Sequence, residues 1–179
     1  MTRLGFVTMA AVGSLMALAT SASAHITLEN PQGAIGAGYK AVFRVPHGCK
    51  GSATVALKVQ VPDGVIAVKP QPKSGWQIKT VKGKYDKAYT FDGAKLEAGV
   101  REVDWSGGKL PDDYYDEFVF NGFLTDSLKP GTTLYFPVVQ ECEQGVERWI
   151  EIPAEGKTSD DYETPAPGLK LIPNQGSND

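Results

Sequence analysis

Histidine is nearly absent from this chain. Its 179 residues include two, His25 and His47, and two cysteines, Cys49 and Cys142. Two histidines are too few for the multi-histidine cage of a conventional zinc site. The cysteines lack the C-x-x-C spacing of a thiolate clip. Long apolar sequence is missing after residue 24, so nothing there has the roughly 20 residues a helix needs to span a bilayer. Basic clusters are missing too. The 18 Lys and Arg are scattered among 21 Asp and Glu, which argues against nucleic acid and anionic membrane surfaces as partners.

Residues 1–24 have the layout of a secretory signal. Arg3 provides the positive start, an apolar run extends from Leu4 to Ala19, and Ala22-Ser23-Ala24 forms a small-x-small cleavage site. The run is too short for a membrane anchor. Cleavage after Ala24 leaves 179 − 24 = 155 residues starting at His25, enough for one domain with a proper core. Loss of Arg3 leaves 17 basic against 21 acidic residues, a formal balance of −4. The expected location is periplasmic or secreted. In an oxidising compartment the lone cysteine pair is expected to form a disulfide rather than a thiolate metal pair. Closing so long a loop contributes about 4–5 kcal/mol in the chain-entropy picture.

The remainder reads as all-β. Residues 53–61 (ATVALKVQV) alternate over nine positions and end at the turn Pro62-Asp63-Gly64. Further short runs are expected at 41–45, 65–70, 75–81, 89–91, 100–105, 116–123, 133–139 and 148–152. Asp-Gly, Gly-Gly-Lys, Lys-Pro-Gly and Glu-Gln-Gly punctuate them. Nine close-spaced runs without an amphipathic helix imply a β-sandwich over residues 25–153. Residues 154–179 turn polar, acidic and Pro-rich, and read as a C-terminal tail with Leu169 to Pro173 docking on the body and a disordered end.

A histidine at a mature N-terminus has special chemistry. Its α-amine and imidazole Nδ1 can close a six-membered chelate ring on one metal ion. In model compounds these groups titrate near ~8 and ~6.5, so a competing metal displaces both protons near neutral pH. Nitrogen donors in a roughly planar array favour Cu(II). Candidate partners follow from strand parity. In Tyr114 to Phe120 (YYDEFVF), Phe118 and Phe120 share one face and Glu117 the other. If the phenylalanines face the core, Glu117 faces outward or into a groove where the N-terminus can lie. Trp149 shares a parity with Glu147 and Glu151, opposite Ile150 and Ile152. An aromatic on a face otherwise polar suits the wall of a metal pocket or a seat for the tail.

Several motifs occur together in order: His25-Ile26-Thr27-Leu28 after the signal site, Arg44-Val45-Pro46-His47-Gly48-Cys49, Trp105-Ser106-Gly107-Gly108, Leu110-Pro111, Tyr115-Asp116-Glu117-Phe118, Phe136 to Cys142 (FPVVQEC) and Trp149. In this the chain resembles the YcnI-like family of bacterial copper-binding proteins over His25 to about Pro153. The resemblance implies a cupredoxin- or immunoglobulin-like β-sandwich that binds Cu(II) through a single-histidine brace. The brace would be the α-amine and side chain of His25, with Glu117 completing the site and Trp149 beside the metal. It also implies copper handling as a metallochaperone or store, with periplasmic copper chaperones or membrane copper transporters as partners. His47, in a loop expected to be pinned by the disulfide, is a weaker candidate for a second site.

The expected work is binding and transfer of Cu(II) without catalytic turnover. Two other classes fit the same residues. Copper-dependent polysaccharide monooxygenases also begin with histidine but need a second one in the brace, a part only His47 can take. A metal-free adhesion or assembly sandwich would make His25 incidental.

Overall fold

The computed structural model describes residues 25–174. The proposed signal segment and the last five residues, expected to be disordered, lie outside the described residues. The described chain is an immunoglobulin-like β-sandwich, as its alternation implies. One sheet has the order β1 (Thr27–Leu28), β3 (Ala37–Val45), β8 (Asp116–Leu124), β5 (Val65–Pro70). The facing sheet runs β11 (Val146–Trp149), β10 (Val138–Cys142), β4 (Thr54–Gln60), β7 (Ala94–Leu110), β6 (Gln77–Phe91). A small third sheet joins β2 (Gln32–Ala34), β12 (Gly168–Ile172) and β9 (Thr133–Tyr135).

The core is what alternation places between the sheets. Phe43, Phe118 and Phe120 come from one sheet, Leu57, Val59 and Trp105 from the other, and all are fully buried. Aromatic rings knit the layers: Phe43 meets Phe136 at 5.6 Å, and Trp105 meets Phe118 at 5.6 Å, both edge to face.

Four strand expectations change, one of them being run 148–152, which becomes β11 and ends at Trp149. Runs 75–81 and 89–91 are the two ends of one 15-residue strand, β6, which pairs with the 17-residue β7. Asp92 and Gly93, both at positive φ, make the two-residue turn between them. Run 133–139 splits into β9 and β10 at Phe136-Pro137, because proline has no N–H to give the ladder. Within the polar C-terminal segment, residues 168–172 form β12, parallel to β2 and antiparallel to β9. Leu169 and Leu171 are thereby buried in the main core.

Cys49 and Cys142 form the expected disulfide, with Cα atoms 6.0 Å apart across a sequence separation of 93. It fastens the loop after β3 to the end of β10.

Candidate metal centre

His25 lies two residues before the start of β1, an edge strand whose register is Thr27 opposite Arg44 and Leu28 opposite Phe43. Ile26 is buried and anchors the segment, which leaves His25 half-buried at the sandwich edge. Its imidazole lies 5.9 Å from the Trp149 ring, at 62°, an edge-on contact. It also lines a groove of about 300 Å³ with Thr27, Ser159, Asp160 and Pro165 to Gly168. The far wall is thus the returning C-terminal segment. Backbone pairing holds that segment down: Ile150 and Glu151 N–H donate to Thr164 O at 3.0 and 3.1 Å, and Ala166 N–H donates to Glu151 O at 2.8 Å.

Trp149 corrects the parity reading. It does share a face with Glu147, but that face points inward. The register pairs Trp149 with Val138 and Glu147 with Gln140, and Val138 and Gln140 are fully buried. Trp149 is therefore a core residue, 4% exposed, while Ile150 and Ile152 are exposed at 45% and 58%. Strand β11 stops at Trp149, so parity does not carry past it.

Beneath Trp149 lies a polar network within the core. The indole Nε1–H donates to Gln140 Oε1 at 2.9 Å. Gln140 Nε2 donates to His47 O and to Thr54 Oγ1, each at 2.7 Å. Gln140 and Thr54 are both fully buried, so these bonds meet the need of a buried amide for partners. Sequence reasoning gave Gln140 no role. The available signal was its parity with Val138 and Cys142, which puts an amide on an apolar face.

Glu117 sits on the outer surface of the other sheet, as expected from the burial of Phe118 and Phe120. The ladder runs Thr27, Arg44, Glu117 across three strands, so Arg44 intervenes between the N-terminal strand and Glu117. Glu117 Oε1 is 3.9 Å from Arg44 Nε, an exposed pair. Lys73 secures this corner. It pairs with Asp116 at 2.7 Å, donates to Glu117 O at 2.9 Å and sits 4.8 Å above the Phe118 ring.

His47 lies in the loop after β3 and lines a separate pocket with Asp112, Glu147, Trp149, Glu163 and Thr164. The two histidines thus line different cavities, and Trp149 contacts the first ring while walling the second cavity. His47 Nδ1 is 2.5 Å from Gly48 O. A carbonyl only accepts, so Nδ1 is the donor in this contact. Gly48 N–H donates to Asp112 Oδ1 at 2.9 Å. Only glycine fits there, since a Cβ would fall 1.9 Å from Ser52 O.

Among the described residues no three His, Cys, Asp or Glu side chains converge to hold a metal. Both cysteines are in the disulfide, and all three methionines lie within residues 1–24. The domain consequently presents nitrogen and oxygen donors and no free thiolate or thioether.

A family model described as "Domain of unknown function (DUF1775)" matches residues 25–171, beginning at His25. A solved structure titled "Crystal structure of an uncharacterized protein from Nocardia farcinica reveals an immunoglobulin-like fold" is similar at a TM-score of 0.61 and 26% identity, over 84% of this chain and 99% of that one. No curated protein matches.

Proposed function

The chain belongs to the DUF1775 domain family, and from that premise we propose that it is an exported Cu(II)-binding protein that receives and hands on copper in the periplasm or at the cell surface. One observation carries this reading. His25, the first residue of the family match, holds its imidazole against Trp149 at the mouth of a groove.

Removal of residues 1–24 turns the His25 nitrogen from an amide into a primary amine. Amine and Nδ1 then chelate one ion from a single residue. Glu117, on the same sheet but across Arg44 from the N-terminal strand, is the carboxylate that would complete the site, and its exposed pairing with Arg44 would hold it back by only about 0–1 kcal/mol. Trp149 meets the His25 ring edge-on and so would lie beside the ion. Bound copper would supply a redox-active centre that prefers N and O donors as Cu(II). Without thiolate or thioether the donor set would hold Cu(I) less tightly than Cu(II), so one-electron reduction by an external small-molecule or protein reductant would assist hand-off to an acceptor such as a copper chaperone or transporter.

A fluorescence titration tests the reading. One equivalent of Cu(II) is expected to quench the exported protein, and Trp149→Phe is expected to remove most of that quenching. Absence of quenching in the native protein, or equal quenching in His25→Ala, would overturn it. In an anaerobic titration, binding of Cu(I) tighter than Cu(II) would reject the release step.

A further inference from the structure

The geometry points to Gln140 as the positioning residue of the His25 edge: it orients the Trp149 indole against the imidazole and ties that pair to the His47 loop. The inference rests on the copper reading for its purpose, while the contacts it describes are present without metal. Gln140 occupies a core position between Val138 and Cys142 on β10 and is fully buried. A buried amide costs free energy compared with an aliphatic side chain unless its donors and acceptor are satisfied.

Here the assignment of its two ends is fixed by chemistry. His47 O only accepts, so the amide nitrogen faces it at 2.7 Å. The carbonyl end is left facing Trp149, whose Nε1–H only donates, at 2.9 Å. The outer torsion of an indole has a broad, roughly two-fold preference, and this bond favours the orientation whose ring meets His25 at 5.9 Å and 62°. The same amide reads the His47 loop, which the disulfide holds from Cys49. A shift of that loop therefore reaches Trp149 through one side chain.

The test uses the exported, metal-free protein and the NMR shifts of the His25 ring protons, together with exchange of the Trp149 indole proton. Trp149→Phe is expected to change the ring-current shift at His25. Gln140→Met is expected to move that shift and speed indole exchange at least tenfold, and the double variant is expected to match Trp149→Phe at His25. Native shifts and native exchange in Gln140→Met would overturn the proposal. If Gln140→Met does not fold, Gln140→Asn gives the same readings, because its shorter amide cannot span both partners.

Cu(II) affinity is expected to fall about 3–30-fold in Gln140→Met and to fall no further in the Trp149→Phe background. Additive losses would mean that Gln140 does not act through Trp149. A native protein that takes no Cu(II) would end the copper reading, and the His25 shifts would still decide the role of Gln140.

Discussion

The two ends of the sandwich are built differently. At the His25 end, short strands and loops are tied by hydrogen bonds, by the Cys49–Cys142 bridge and by the returning C-terminal segment. At the other end, β6 and β7 extend as a long two-stranded arm. A small apolar cluster of Ile66, Tyr85 and Tyr89 supports it, and Lys79, Lys82 and Lys84 stand exposed along edge strand β6. Lysines on an edge deter pairing with other chains. The arm is thus held by apolar packing and guarded by charge, whereas the His25 end uses directional bonds that fix ring orientation. Directional bonds are what a site needs; apolar packing suffices where only shape is required.

Substitutions at the two ends are therefore expected to separate stability from copper binding. Replacing both cysteines with alanine should cost the most, about 2–5 kcal/mol, and should weaken copper binding by freeing the His47 loop. Denaturant unfolding and a copper titration measure the two effects. Trp149→Phe leaves Gln140 Oε1 without its indole donor and should cost about 1–3 kcal/mol while also lowering copper affinity. An equal affinity after that change would erase the distinction between the ends.

On the arm, a Cβ at Gly99 would fall 1.7 Å from the Tyr85 hydroxyl oxygen. Gly99→Ala should displace Tyr85 and destabilise by about 1–3 kcal/mol, with copper affinity unchanged. The smallest effect concerns Glu102 on β7. Partial burial, and then the neighbouring Asp104, raise its pKa above the usual carboxylate value. A raised folded pKa means its stabilising share is present at low pH and lost as pH climbs through that value. Glu102→Gln should stabilise at pH 7 by no more than about 0.5 kcal/mol, and the gain should vanish in acid. A gain that grew in acid would reverse the assigned sign.

The sandwich was legible because its strands alternate: Leu57, Val59, Phe118 and Phe120 fell inward as their parity required. The disulfide followed from there being only two cysteines in a chain read as exported. The burial of Trp149 was not legible, because parity names two faces without saying which is inner. The register with Val138, set by pairing distant in sequence, decided that. The docking of Leu169 to Pro173 was legible, but its form as strand β12 was obscured by Pro-rich, acidic surroundings, and only its place between β2 and β9 gives Leu169 and Leu171 a core to enter. The role of Gln140 within FPVVQEC was not legible, because its partners His47, Thr54 and Trp149 come from three other segments.

The central claim is that the amine and the ring of one residue grip copper together. Acetylating the α-amine of His25 in the exported protein keeps every side chain and removes only the amine as a donor. Calorimetric Cu(II) titration of the two forms is expected to show an affinity loss of at least ~100-fold in the acetylated form, about 2.7 kcal/mol. Equal affinities would contradict the account.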